Sequence, residues 1–131
     1  MAGYSKRSLV EKLGMKPGMR ALVMEAPKIE GLNFPKGFNL VNTIAKPLDY
    51  VHFFTKDKKD LAKIFPILRK NIKDNGMIWI SWPKKSSGVE TDLDENIVRE
   101  IGLKNGMVDV KVVAVDEVWS GLKFVYRVVD R

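Results

Sequence analysis

Hydrophobic positions along this chain alternate between the spacing of a strand and the spacing of a helix. Apolar runs of strand length occupy Met19–Met24, Tyr50–Phe54 and Met77–Trp82, and a weaker run, interrupted by asparagines, occupies Phe38–Ile44. Between them, the segment Asp57–Ile72 repeats its apolar residues at intervals of three and four. This alternation predicts strand–helix–strand units, in which parallel strands form a sheet covered by helices.

Capping and breaking residues predict where the helices begin and bend. Ser5 precedes a short apolar stripe and predicts a first helix over Lys6–Leu13. Pro66 lies inside the second helical pattern, where it cannot donate a backbone hydrogen bond, so we expect a kink or two short helices in tandem. Asp92 is followed three residues later by Glu95, which is the spacing of a capping box for a third helix.

The C-terminal part of the chain predicts an antiparallel hairpin. Two alternating stretches at 107–115 and 122–129 are joined by a short connection through Asp116 and Glu117. On one face of the first strand we expect Val108, Val110, Val112 and Ala114. The predicted fold is α/β, a truncated Rossmann-like, mostly parallel sheet with this hairpin and flanking helices, and residues 1–131 form a single domain.

Composition excludes several kinds of chemistry. The 131 residues include no cysteine, which excludes disulfides, zinc–thiolate sites and cysteine nucleophiles. A single histidine leaves mainly carboxylates as metal ligands, so no metal site is predicted. The net charge of +7 is spread along the chain in lysines, which favours a solvated surface over a dedicated nucleic-acid face.

No stretch of the sequence has the apolar character of a targeting segment. The N-terminal residues carry charge without a following apolar run of signal-peptide length, and no run approaches the ~20 residues of a membrane span. We therefore expect a cytoplasmic protein that does not associate with membranes.

Two segments resemble parts of a known enzyme class. The segment Lys12–Val23 resembles the approach to the first strand of class I S-adenosylmethionine-dependent methyltransferases. The segment Leu68–Trp82 is similar to their fifth-strand region, and the terminal hairpin fits the reversed last strand of that fold. The resemblance implies a Rossmann-like fold, with S-adenosylmethionine as the cofactor that such a fold would bind.

A narrower resemblance covers nearly the whole chain. The strings Ser81–Leu93, Val108–Lys111 and Ala114–Lys123 resemble the bacterial domain-of-unknown-function family 3052. Two of these strings contain tryptophan and are specific. The family name implies no biochemical function, so this resemblance bears on the fold alone.

One departure from the methyltransferase pattern bears on cofactor binding. Those enzymes follow their first strand with a glycine-rich loop, which lets backbone N–H groups approach the cofactor. Here that position reads Glu25-Ala26-Pro27-Lys28, and Pro27 has no N–H to donate. No acidic residue ends the second strand to hold a ribose. We therefore expect no cofactor, with S-adenosylmethionine as the alternative.

The candidate ligand site lies where the parallel strands end. In open α/β sheets ligands bind beyond the carboxyl ends of the strands. Lysines, hydroxyls and a glycine after the third predicted apolar strand suit an anion, although a mobile surface loop has the same composition. The candidate ligand-binding residues are Glu25, Pro27, Ser81, Trp82, Lys84, Lys85 and Ser86.

Two further features have both a functional and a structural interpretation. His52 lacks a partner at catalytic spacing, which favours a hydrogen-bonded core histidine over a general base. The hairpin turn carries candidate interaction residues, in which Asp116 can pair with Lys123 or Lys111, although a turn with a packed tryptophan fits equally. The candidate interaction residues are Asp116, Glu117, Trp119 and Lys123.

Three functions remain open from the sequence. The absence of a recognisable acid, base or nucleophile set favours a non-catalytic methyltransferase-like module that binds a small molecule or a protein partner. The second hypothesis is an unusual methyltransferase completed by a partner or a homodimer, since an edge strand at the hairpin offers a pairing surface. The third is a basic protein associated with nucleic acid.

Overall fold

A six-stranded sheet in the order β2-β1-β3-β4-β6-β5 organises the fold. The computed structural model describes residues 7–131, and the expected cap Ser5 and helix start Lys6 lie outside them. The strands are β1 Arg20–Met24, β2 Asn39–Val41, β3 Leu48–Phe54, β4 Ile72–Pro83, β5 Met107–Ala114 and β6 Trp119–Tyr126. The helices are α1 Leu9–Lys12, α2 Lys58–Asn71 and α3 Glu95–Lys104, and short 3₁₀ helices lie at Lys85–Ser87 and Val128–Asp130.

The pairing directions confirm the predicted α/β class. β1 runs parallel to both of its neighbours, β2 and β3, and β3 runs parallel to β4. β6 is antiparallel to β4 and to β5, so the last two strands form the expected hairpin. A parallel sheet that ends in one antiparallel hairpin is the truncated Rossmann-like arrangement.

The sheet is covered on both faces, as the composition of its central strand requires. Six of the seven residues of β3 are buried, because a strand with core on both sides is apolar at nearly every position. Leu61 and Phe65 of α2 and Val98 of α3 pack on one face. The opposite face is covered by the segment around α1 and by Ile29 and Phe38 from the connection between β1 and β2.

That connection contains no helix. Residues 25–38 run as turns and irregular chain, so the helix that usually follows the first strand of a Rossmann-like fold is absent from this connection. Buried Ile29 and Phe38 take over part of the packing that a helix would provide. The ring of Phe38 meets Tyr50 of β3 edge to face, with 5.4 Å between centroids.

At Pro66 the second helix excludes one of the two predicted outcomes. α2 is one continuous helix that contains this proline, so the expected pair of tandem helices does not form. Phe65 and Leu68 on either side of it are fully buried, and their burial supports the helix across the missing backbone hydrogen bond. Within residues 7–131, no helix is both long and apolar enough to span a membrane.

The cap of the third helix also differs from the prediction. Asp94 is the N-cap, and its carboxylate accepts a hydrogen bond from the Ile97 amide at 2.8 Å. Asp92, the expected cap, instead accepts from the Lys58 amide at 2.7 Å, in the first turn of α2. A local pattern could not separate two aspartates two residues apart, because the choice depends on where α2 lies.

The first hairpin strand ends one residue earlier than predicted, the second begins and ends three residues earlier, and a bulge interrupts their pairing. The register shifts between Asp109 and Lys111, so the expected common face of Val108, Val110, Val112 and Ala114 is wrong. Val110 and Val112 are 54% and 47% exposed. The chain beyond Tyr126 turns into a 3₁₀ helix at Val128.

Gly102 tests the packing of α3 on the sheet. A Cβ at this position would lie 2.0 Å from Cε1 of Phe124, a fully buried ring of β6. We expect Gly102→Ala to lower the free energy of unfolding by about 1–3 kcal/mol, despite alanine's higher helix propensity of about 1 kcal/mol. Urea denaturation measures the change, and Glu100→Ala on the exposed side of α3 is the control. A Gly102→Ala protein as stable as the parent would contradict this packing.

Candidate functional site

An open cleft lies at the carboxyl ends of β1 and β3. β1 leads to β2 on one side of the sheet, whereas β3 leads to β4 on the other, so the direction of winding reverses between them. Ligands of open α/β sheets bind at such a switch point. The cleft has a volume of about 720 Å³, and its lining residues are Met24, Glu25, Pro27, Phe53, Phe54, Thr55, Lys56, Asp57, Asp60, Lys63, Ile64 and Trp119.

The first wall of the cleft is the turn after β1. Glu25 has a φ of 57°, in the left-handed region that residues with a side chain rarely adopt. The chain therefore turns sharply directly after β1, where class I methyltransferases have their glycine-rich loop. In this protein the residue at the turn is a glutamate. A residue held in this region costs about 1–3 kcal/mol and is found most often at functional sites.

The second wall is the first turn of α2. Asp57 caps the helix and accepts a hydrogen bond from the Asp60 amide at 3.0 Å, while its own amide donates to the Thr55 hydroxyl at 3.2 Å. Asp57, Asp60, Lys63 and Ile64 follow one another at helical spacing, so one side of the helix faces the cleft. The sequence analysis missed Asp60, Lys63 and Ile64 as site residues, although this spacing next to a strand end was a usable signal.

Three hydrogen-bonded polar side chains, those of Tyr50, His52 and Ser81, are buried behind Phe54, which forms the floor of the cleft. His52 is fully buried, and its Nε2 is 2.6 Å from the Ser81 hydroxyl while its Nδ1 is 3.3 Å from the Tyr50 hydroxyl. The ring stacks on Phe54, a residue that lines the cleft, with 4.2 Å between centroids. This confirms His52 as a hydrogen-bonded core histidine.

A glycine on β6 leaves room for these hydrogen-bonded side chains. Gly121 pairs with Ser81 across β4 and β6, and a Cβ on it would lie 3.0 Å from the Ser81 hydroxyl. Burial lowers the pKa of His52 to about 3 and raises the pKa of Tyr50, so both groups are neutral at pH 7. The neutral imidazole has one donor and one acceptor nitrogen and can therefore bond to both hydroxyls.

The predicted ligand-binding residues separate into three groups. Glu25 and Pro27 line the cleft, as expected from the strand ends. Ser81 and Trp82 are 0% and 4% exposed and lie in the packed core of β4 rather than on a ligand surface. The remaining three, Lys84, Lys85 and Ser86, lie at or in the short 3₁₀ helix after β4 and outside the cleft lining.

The hairpin turn is shaped by Asp116 instead of by an ion pair. Its carboxylate accepts hydrogen bonds from the amides of Val118 and Trp119 at 2.8 and 2.7 Å. Lys111, the expected partner of Asp116, donates to the Lys12 carbonyl at 3.0 Å. The predicted cross-strand pair is therefore wrong, because the carboxylate is needed to close the turn.

The other interaction candidates differ in their surroundings. Trp119 is partly buried and lines the cleft, where its ring meets Phe54 at 5.4 Å between centroids. Glu117 is exposed in the turn. Lys123 lies across the strands from Lys111, and partial burial, together with the positive charges of Lys111 and Lys16, lowers its pKa.

Among residues 7–131, no three or more His, Cys, Asp or Glu side chains form a group that could hold a metal ion.

Solved structures with the same architecture are S-adenosylmethionine-dependent methyltransferases. Magnesium protoporphyrin IX methyltransferase from Synechocystis PCC 6803, solved with bound S-adenosylmethionine, matches 91% of this chain over 74% of its own length, at 11% identity and a TM-score of 0.63. A methyltransferase from Aquifex aeolicus matches 88% of this chain and 86% of its own, at 16% identity and a TM-score of 0.60.

A third neighbour covers still more of both chains. A TehB-like methyltransferase from Corynebacterium glutamicum matches 96% of this chain and 91% of its own, at 7% identity and a TM-score of 0.59. The chain has the methyltransferase-like fold. At these identities the likeness concerns the fold alone. No family model and no curated protein sequence matches the chain.

The pH dependence of stability tests the buried histidine. In the unfolded chain an imidazole takes up a proton near pH 6.5, whereas folded His52, with a pKa of about 3, does not. The unfolded state therefore binds more protons between these values, and the free energy of unfolding falls as the pH falls, by up to about 1.4 kcal/mol per pH unit.

The single histidine makes the experiment specific. Between about pH 5 and 6, carboxylates titrate little, so the slope measured by urea denaturation belongs mainly to His52. We expect His52→Gln to be less stable at pH 7 and to lose most of this slope. Equal slopes in the two proteins would show that His52 is charged or accessible in the folded state.

Proposed function

We propose that this chain is a methyltransferase-like domain that binds a small molecule in the cleft between β1 and β3 and acts as an accessory or regulatory module. The observation that carries the proposal is the position of the cleft, since an opening of about 720 Å³ lies at the switch point of the sheet. This volume is within the range of about 300–1,000 Å³ that small-molecule sites have.

The chemistry of the lining supports binding over nucleophilic catalysis. Among the described residues the cleft presents carboxylates, ammonium groups and one threonine, whose hydroxyl is hydrogen-bonded to the Asp57 amide. His52, the single histidine, is buried behind Phe54 and neutral. No Ser–His or comparable nucleophile–base pair opens into the cleft, because Ser81, the partner of His52, is buried as well.

S-adenosylmethionine is the second candidate ligand, and an unusual methyltransferase completed by a partner is the corresponding second function. Two solved forms of the Synechocystis enzyme hold S-adenosylmethionine and S-adenosylhomocysteine, which favours these as probes. The residues after β1 do not fit the usual cradle, however. Pro27 offers no N–H, and Glu25 places a carboxylate where glycine backbone would approach the cofactor.

The likeness to domain-of-unknown-function family 3052 belongs to the same proposal. It rests on the strings Ser81–Leu93 and Ala114–Lys123. The first string forms the end of β4 and the 3₁₀ segment, and the second forms the turn that brings Trp119 to the cleft. If the family shares the second string, its members share the tryptophan that lines the cleft, whereas the first string contributes no residue to the lining.

A substitution that fills the cleft with a larger side chain tests the proposal. Ile64 lines the cleft from α2, whereas Ile67 on the same helix is 43% exposed and outside it. A thermal-shift screen with S-adenosylmethionine, S-adenosylhomocysteine, nucleotides and sugar phosphates would identify a stabilising compound, because a ligand at one hundred times its dissociation constant adds about 2.7 kcal/mol.

We expect Ile64→Trp to remove the shift and Ile67→Trp to keep it, with circular dichroism confirming that both proteins are folded. A shift that survives in folded Ile64→Trp would place the ligand elsewhere. If the surviving shift is lost in Lys84→Ala and Lys85→Ala, the site is the loop after β4. The absence of any shift across the screen would count against small-molecule binding and favour a protein partner.

A further inference from the structure

One of the three tryptophans stands apart from the other two. Trp79 and Trp82 are 0% and 4% exposed and belong to the core of β4. Trp119, at the start of β6, is only partly buried and lines the cleft. A partly open indole in a cleft at a switch point offers a flat, polarisable surface to a ligand.

The backbone that carries Trp119 is held in place from several directions. The Asp116 carboxylate accepts a hydrogen bond from the Trp119 amide at 2.7 Å, and the Trp119 carbonyl accepts one from the Val115 amide at 2.9 Å. On the cleft floor, Phe54 meets the indole nearly at right angles, at 80° between ring planes. Because its turn and Phe54 already hold Trp119 in place, little conformational entropy is lost at this side chain when a ligand binds.

The net charge of the cleft lining is negative, whereas the net charge of the whole chain is positive. The whole protein carries a net charge of +7, yet the cleft is lined by three carboxylates and only two ammonium groups. Within the described residues, no salt bridge joins Glu25, Asp57 or Asp60 to a basic side chain. Asp57 is occupied by capping α2, so Glu25 and Asp60 are the two carboxylates free to meet a charged ligand.

We propose that the ligand of the cleft carries a planar ring with a positive charge, which lies against Trp119 and is neutralised by Glu25 and Asp60. The inference rests on the proposed function and adds the class of the ligand. A cation over an indole gains from the negative face of the ring, and tryptophan is the best of the side chains for this contact. An anionic ring would meet the two carboxylates, and a small aliphatic cation would leave the indole partly uncovered.

Four compounds separate the contributions of ring and charge. 1-Methyladenosine is a planar cation, adenosine is the neutral ring, adenosine monophosphate adds negative charge, and choline is a cation without a ring. Dissociation constants come from calorimetry, and the part of the quenching of tryptophan emission that is lost in Trp119→Leu reports the site, since Trp79 and Trp82 are present in both proteins. We expect 1-methyladenosine to bind about tenfold more tightly than adenosine, choline or adenosine monophosphate, because Lys56 and Lys63 only partly offset the three carboxylates of the lining.

Variants assign each contribution to its residue. Trp119→Leu is expected to weaken 1-methyladenosine binding by about tenfold, and Trp119→Phe to restore most of it. Glu25→Gln combined with Asp60→Asn is expected to weaken the binding of 1-methyladenosine more than that of adenosine, so that the preference for the charged ring becomes smaller. Glu30→Gln, an exposed carboxylate outside the cleft, is the matched control. Thermal unfolding without ligand shows that each variant is folded.

Equal affinity for 1-methyladenosine and adenosine, failure of 1-methyladenosine to bind, or an unchanged affinity in folded Trp119→Leu would overturn the inference. These results are distinguishable from a failure of the proposed function. If another compound from the thermal-shift screen still loses its effect in Ile64→Trp, the cleft is a ligand site of a different class. If no compound depends on Ile64, the proposed function fails together with the inference.

Discussion

The parallel pairing of β1 with β3 is the constraint on which the rest of the structure depends. Four register pairs join the two strands, from Ala21 with Tyr50 to Met24 with Phe53. This pairing places β2 on one side of β1 and sends β3 toward β4 on the other. Because the chain winds outward in both directions, the helices and loops diverge above the ends of these two strands, and the cleft opens there.

The same pairing explains why polar groups are buried in the centre of the sheet. β3 has core on both faces, so its one histidine cannot reach water and must find partners within the sheet. Tyr50 on its own strand and Ser81 on β4 supply them. The hydrogen-bonded side chains therefore join β3 to β4, and Gly121 on β6 leaves the space that the Ser81 hydroxyl needs. A slip of one residue between β3 and β4 would separate His52 from Ser81, so this hydrogen bond favours the observed register.

Three unlike features meet at the cleft. A glutamate in the left-handed region, an acidic first turn of α2 and a partly open tryptophan all face one opening. The acidic turn also stabilises the start of α2, whereas the glutamate and the tryptophan depart from what stability favours, and such departures gather where a protein meets its ligand. The missing helix between β1 and β2 leaves the turn at Glu25 to be shaped by Pro27 and by the packing of Ile29.

The sequence by itself determined the kinds and order of the elements, the α/β class and the terminal hairpin, because the spacing of apolar residues is a local property. It also located Glu25 and Pro27 at a strand end. Only the tertiary structure decided that Asp94 rather than Asp92 caps α3 and that a bulge divides β5. Only the tertiary structure places Trp119 in the same cleft as Glu25 and Asp60, since these residues come from three separate segments. Their meeting depends on strand order, which arises from long-range pairing that no local pattern encodes.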